Sequence, residues 1–167
     1  MKKTALITAL ALLTVGLVFS APPSFAGKAG QQTLPAPDFS LRDIAGNEYR
    51  MSQFRGRPVL LIFGTTWCPN CRTQIPENKK LHERYANRGL VFFNVNILES
   101  REKAASFSKK WKLPYPTLVD AKGNVAEMYR VVGVPMRILV DSRGNITCIS
   151  CRNLEEKIKQ ALAVSGK

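Results

Sequence analysis

Val59-Leu60-Leu61-Ile62-Phe63-Gly64-Thr65-Thr66-Trp67-Cys68-Pro69-Asn70-Cys71 carries the strongest structural signal in the chain. Its first five residues include no polar member, so the strand they predict is buried on both faces, as at the centre of a sheet covered by helices. Pro69 suits the first turn of a helix, and a helical pattern runs from Pro69 to about Asn87, with Pro76 inside it and Gly89 as its stop. A Cys-x-x-Cys pair therefore falls where a buried strand ends and a helix begins. That position favours the thiolate at Cys68, because unpaired main-chain N–H groups and the helix dipole stabilise negative charge. Two intervening residues bring Cys71 within bonding distance across the first turn. Cys68 thus reads as the sulfur that attacks a substrate disulfide, and Cys71 as the one that resolves the mixed disulfide.

Toward the C-terminus, Leu90 to Val95 predicts a second apolar strand, and Ser100 to Lys112 a helix with Ala104, Phe107 and Trp111 on one face. Pro114 to Val119 and a short helix near Val125 to Tyr129 lead to Gly133-Val134-Pro135. Met136 to Val140 and Asn145 to Ile149 then predict a hairpin about the turn cluster Asp141-Ser142-Arg143-Gly144. Asn153 with Glu156 suggests a capping box for a last helix, Leu154 to Val164. Toward the N-terminus, Asp38 to Leu41 and Glu48 to Met51 flank Ala45-Gly46-Asn47 as a short hairpin. Ser52 to Gly56 forms one helical turn, capped by Ser52 and stopped by Gly56. Strands alternating with long helices and ending in a hairpin imply an α/β domain: a mixed central sheet flanked by helices, with an N-terminal hairpin extension.

The chain opens with Lys2 and Lys3, an apolar run from Ala5 to Phe19, and Ser24-Phe25-Ala26 before Gly27, which is signal-peptide grammar for residues 1–26. The apolar run falls short of the roughly 18–20 residues that span a bilayer. Removing 26 residues from 167 leaves 141, enough for one domain, 38–167, preceded by a Gly-, Gln-, Ala- and Pro-rich linker, 27–37. The expected location is exported, periplasmic or otherwise extracytoplasmic; an uncleaved segment would leave the domain anchored to the membrane. A composition of 45% apolar and 22% charged residues excludes wholesale disorder, a collagen-like repeat and a polytopic membrane protein. Without Lys2 and Lys3 the balance is 23 basic against 12 acidic residues, a net +11. Export makes nucleic acid an improbable ligand. The excess reads either as contact with an anionic membrane surface or an acidic protein, or as an ordinary solvated surface.

Four cysteines in an oxidising compartment either pair stably or do redox chemistry. A four-cysteine zinc ribbon wants roughly 15–20 residues between its pairs, whereas 76 separate Cys71 from Cys148. The only histidine, His82, lies mid-helix among charged neighbours and reads as a surface residue, so no metal is expected. Cys148-Ile149-Ser150-Cys151 falls at the end of the last strand, an edge position. Residues three apart in a strict strand face opposite ways, so a disulfide there requires a bulge or a turn at Ser150. A local disulfide, two unpaired thiols, and a functional relay or inter-chain link all remain open for this pair.

Trp67-Cys68-Pro69-Asn70-Cys71 after an apolar strand, Gly133-Val134-Pro135 beginning 62 residues after Cys71, and Leu139-Val140-Asp141-Ser142-Arg143-Gly144 together resemble the thioredoxin fold. Ala36-Pro37-Asp38-Phe39 and Gly56-Arg57-Pro58-Val59 narrow the resemblance, over Pro35 to Leu162, to the exported TlpA/ResA branch of thiol–disulfide oxidoreductases, which includes the reductases of cytochrome c maturation. The resemblance implies an enzyme without an organic cofactor beyond the redox-active Cys68/Cys71 pair. It implies protein thiols and disulfides as substrates and a membrane thiol–disulfide electron donor as partner. It further implies that Pro135 is a cis-proline lying against Cys-x-x-Cys, and that Trp67, Val134 and Pro135 form the substrate-binding surface. Glu99 matches a glutamate near the resolving cysteine, where a partly buried carboxylate accepts the Cys71 proton; charge complementarity to a helix N-terminus is its other reading.

Three departures from the family pattern qualify this, and a peroxidase is a rival beside them. Gly64 follows the strand Phe where a Trp is frequent. Ile62 stands where cytosolic thioredoxins keep a buried aspartate, so that route for a proton is closed. Pro69-Asn70 is neither Gly-Pro nor Pro-His, which leaves the direction of electron flow open: the resemblance favours a reductant, with an oxidase or isomerase as rival. Thr65, three residues before Cys68, fits a peroxidase of the peroxiredoxin type, but Leu61 replaces the proline that such a site expects four residues earlier. A rival from another class is a thiolate metallochaperone for a soft ion such as Cu(I).

Overall fold

Residues 34–165 are described by a computed structural model; the signal-peptide reading, residues 1–26, lies outside them. The strands are β1 (Leu34–Pro35), β2 (Ser40–Arg42), β3 (Glu48–Arg50), β4 (Val59–Gly64), β5 (Val91–Ile97), β6 (Thr117–Asp120), β7 (Met136–Val140) and β8 (Asn145–Ile149). The helices are α1 (Pro69–Tyr85), α2 (Arg101–Trp111), α3 (Asn124–Met128) and α4 (Leu154–Ser165). Six strands form one sheet in the order β1-β8-β7-β4-β5-β6, and β2-β3 form the separate hairpin. β4 runs parallel to β5, and β5 to β6, whereas β4/β7, β7/β8 and β8/β1 are antiparallel, so the sheet is mixed.

All six residues of β4 are buried, because its alternate side chains serve two separate cores. Val59, Leu61 and Phe63 pack with Phe39, Met51, Val125, Ala126 and Tyr129, while Leu60 and Ile62 pack with Leu81, Tyr85, Leu154 and Ile158. Helices α1 and α4 therefore cover one face, and α3 with the chain around the hairpin covers the other. The hairpin is fastened to the sheet where Ile44 N–H donates to Thr117 O at 3.0 Å.

The pattern-based boundaries hold for β7 and β8, and closely for α1, whose continuation through Ala86–Arg88 ends at Gly89 with φ +99°. Elsewhere tertiary contacts override local signals. The helical turn after β3 is Met51–Phe54, entered from Arg50 rather than capped by Ser52, whose N–H is taken by Asp38 at 2.8 Å. On α2 the buried pair is Ala104 and Ser108, and Phe107 and Trp111 are only partly covered. The assignment of 27–37 as linker is corrected at its end: Leu34–Pro35 pairs with Ile146 and Asn145 of β8, Ala36 is buried, and Tyr129 Oη donates to Pro37 O at 2.7 Å. The folded domain thus begins by residue 34, and β8 is not an edge strand along its first residues.

Candidate active site

α1 starts at Pro69, which makes Cys68 its N-cap, with φ −70° and ψ 116°. The Cys68 sulfur accepts the main-chain N–H of Cys71 at 3.2 Å, satisfying one of the donors that a helix start leaves without a partner. Its thiol in turn points to the carbonyl oxygen of Val134 at 3.7 Å. The Val134–Pro135 peptide is cis, as the resemblance implies. One chain segment far away in sequence is thereby brought against the sulfur that begins the helix.

The two sulfurs are thiols in unlike surroundings. Cys68 is recessed, at 5% exposure, between the open side chains of Trp67, at 67%, and Pro69. Burial, followed by contact with the Cys68 sulfur, pushes the Cys71 thiol up to about 12. Cys71 is therefore protonated at neutral pH and must give up that proton to attack. Gly64 lies directly beside it: a Cβ on that residue would stand 3.4 Å from the Cys71 sulfur.

Behind Cys71 is a small cavity whose lining includes Gln74, Asn78, Asn94, Asn96 and Pro135. Gln74 Oε1, Asn78 Oδ1 and Asn96 Oδ1 face no hydrogen-bond donor of the protein, although buried polar atoms are ordinarily paired with protein or ordered water. The other end of the Asn96 amide donates to Glu99 Oε2 at 3.1 Å. Glu99 is only 8% exposed, and it also accepts the N–H of Thr66 at 2.6 Å and the Thr66 hydroxyl at 2.5 Å. Glu99 is thus bonded to the turn that carries Cys68 and, through Asn96, to the wall of the cavity beside Cys71, with no hydrogen bond to either sulfur. Sequence reasoning missed Asn96 and Asn94. Their signal was two polar residues at alternate positions, hence on one face, of an otherwise apolar strand.

His82 is half-buried rather than a surface residue, edge-on to Phe92 at 5.1 Å and beside Tyr115 at 5.5 Å. That burial holds its imidazole below the usual histidine range. Among the described residues no group of three or more His, Cys, Asp or Glu is placed to hold a metal ion. Cys148 and Cys151 are joined as a local disulfide with Cα atoms 5.7 Å apart. Two backbone irregularities permit it: Thr147 is bulged out of register between the Leu139/Cys148 and Val140/Ile146 pairs, and Ser150 takes a left-handed φ of +46°.

A mixed sheet with a Cys-x-x-Cys at the N-terminus of its first long helix, facing a cis-proline, defines a thioredoxin-like thiol–disulfide oxidoreductase. The chain belongs to the AhpC/TSA family, whose model matches residues 33–149. It is 33% identical over 128 residues to the thiol-disulfide oxidoreductase ResA of Geobacillus thermodenitrificans, covering 76% of this chain and 74% of that one. It is 35% identical over 130 residues to the thioredoxin-like protein YneN of Bacillus subtilis, covering 77% and 74%. Among solved structures, the thioredoxin domain of a thiol-disulfide oxidoreductase from Bacteroides vulgatus matches with a TM-score of 0.70 at 25% identity, covering 77% of this chain and 95% of that one.

Proposed function

We propose that this enzyme is exported and acts as a reductant of disulfides in other extracytoplasmic proteins, such as apoproteins in cytochrome c maturation, with Cys68 attacking and Cys71 resolving. The observation that carries the division of labour is the placement of Cys68 at the start of α1. Its sulfur receives the Cys71 N–H at 3.2 Å and meets the Val134 carbonyl beside Pro135. Negative charge forming on that sulfur is stabilised by the helix terminus. Attack of Cys68 on a substrate disulfide gives a mixed disulfide and releases one substrate thiol. Cys71, after losing its proton, attacks the Cys68 sulfur, releases the second thiol and leaves the Cys68–Cys71 disulfide. Two electrons have then passed to the substrate, and a membrane thiol–disulfide donor restores the dithiol. Trp67, which is open to solvent, and the half-buried chain at Val134–Pro135 form the surface over which the substrate segment lies.

Cys68→Ala abolishes exchange under this reading, and Cys71→Ala accumulates a mixed disulfide on Cys68 with the natural substrate. Full exchange activity in Cys68→Ala would remove the mechanism. The direction is tested by redox titration of Cys68/Cys71: a potential near or below that of thioredoxin, about −270 mV, fits a reductant, and one near about −120 mV reverses the reading to an oxidant. Export is tested by cell fractionation, where recovery of the protein in the cytoplasm contradicts it, and N-terminal sequencing separately tests cleavage before Gly27, which an intact Met1 contradicts.

A further inference from the structure

We propose that Cys148–Cys151 is a second thiol–disulfide exchange site, with Cys151 as the sulfur that meets incoming thiols and Cys148 as the buried partner. The two Cys-x-x-Cys segments share one local construction. In each, the sulfur of the first cysteine accepts the main-chain N–H of the last, at 3.2 Å in both cases. A thiolate forming on Cys148 therefore meets a hydrogen-bond donor already in place, which makes it a competent leaving group.

Access is one-sided. Cys148 is buried against Leu139, Leu154 and Ile158, so no reagent reaches its sulfur without opening the core. Cys151 is only partly covered, and the residues before it are open: Ser150 is exposed and Ile149 is 48% exposed. Among the described residues the outer edge of β8 is paired only at Asn145 and Ile146, so β1 does not reach the disulfide. A groove between α1 and the start of α4 begins at Arg152, the residue after Cys151, and its lining sets Lys80, Arg84 and Arg152 against Glu77, Glu155 and Glu156, so access rather than charge singles out Cys151. The pair also lies toward the same end of the sheet as Cys68, because Ser150 donates its N–H to Arg137 O at 2.7 Å, two residues beyond Pro135. The second site works with an external thiol.

The chemistry balances with two thiols as reductant. One attacks the Cys151 sulfur as its thiolate, the S–S bond breaks, and Cys148 leaves as a thiolate that takes a proton from solvent. The second thiol then attacks the reductant's own sulfur in the mixed disulfide and releases Cys151. Two electrons enter the protein, and the reductant leaves as a disulfide. The reverse sequence oxidises the pair, with Cys151 attacking and Cys148 resolving.

The test uses the full chain, as wild type and in a Cys68→Ser/Cys71→Ser background, which separates this site from the first. Each is equilibrated in glutathione buffers from fully oxidised to fully reduced, acid-quenched, alkylated and mapped by mass spectrometry. The expected result is that Cys148 and Cys151 pass together from about one tenth to about nine tenths reduced within the series in both proteins. Oxidised glutathione is further expected to leave a stable adduct on Cys151 when Cys148→Ser is added to that background. Adduct on Cys148 in the corresponding Cys151→Ser protein should be at least about tenfold lower, because that sulfur is buried. A pair that stays oxidised across the whole series until denaturant is added would show a purely structural disulfide. Equal adducts on the two variants would remove the assignment of Cys151 as the reacting sulfur. The wild-type map needs no substitution, so the outcome does not depend on a variant that folds poorly.

Discussion

The Glu99 carboxylate spans the two hydrogen-bonding groups of Thr66, accepting its N–H at 2.6 Å and its hydroxyl at 2.5 Å, and so holds the turn two residues before Cys68. Glu99 is therefore expected to act on the sulfur through this turn, as a positioning residue. Glu99→Ala strands buried donors and is expected to cost about 1–3 kcal/mol of stability, read from urea unfolding, and to slow disulfide exchange by misplacing Cys68. Glu99→Gln retains an acceptor oxygen and is expected to recover much of both. It should also preserve the shape of the pH profile for exchange. A profile that flattens in Glu99→Gln would instead identify the carboxylate as the acceptor of the Cys71 proton.

The resolving step has its own pH dependence. Because burial pushes the Cys71 thiol up to about 12, only a small fraction is thiolate near neutrality. The rate of resolution of a preformed mixed disulfide on Cys68 is expected to rise about tenfold per pH unit through the neutral and mildly alkaline range. Stopped-flow release of a chromophoric thiol measures it, and a plateau near neutral pH would contradict the geometry.

Gly64 offers a sharper steric probe. With a Cβ already 3.4 Å from the Cys71 sulfur, the γ-methyl groups of Gly64→Val are expected to crowd Cys71. Overpacking of this kind typically costs about 1–3 kcal/mol. The expected kinetic signature is selective: attack by Cys68 continues, closure by Cys71 slows, and the mixed disulfide accumulates in the quenched reaction.

Acid sensitivity is expected to centre on His82. Its imidazole is held below the usual range chiefly by burial, with Glu83 opposing. The folded state thus resists a proton that the unfolded chain accepts near pH 6.5, and stability falls as pH drops through that value. His82→Phe keeps an aromatic ring against Phe92 and Tyr115 and removes the titration. The urea midpoint of this variant should change less between about pH 7 and pH 5 than that of the wild type.

Much of the frame was legible because its signals are local. The all-apolar Val59–Phe63 run, the Cys68-Pro69-Asn70-Cys71 helix start and the Asp141–Gly144 turn each declare themselves within a few residues, and the structure keeps them. The losses share a physical cause. Leu34–Pro35 becomes a strand only because β8 offers it a partner 110 residues later, and nothing in a Pro-rich stretch announces that. His82 reads as solvated among charged helical neighbours, yet Phe92 and Tyr115 arrive from other elements to cover it. At the site, Cys68, Cys71 and Pro135 were visible by spacing and resemblance. The Thr66–Glu99–Asn96 connection was not, because it joins the turn after β4 to the end of β5.

Trp67 is covalently next to Cys68 and largely open to solvent, whereas the second tryptophan, Trp111, is partly covered and packs on Phe107 at 6.2 Å. The enzyme therefore carries its own optical gauge. Emission from Trp67 is expected to change as its neighbour passes between thiol, disulfide and mixed disulfide, and Trp111→Phe would isolate that signal. Turnover would then be followed in real time with no dye or label.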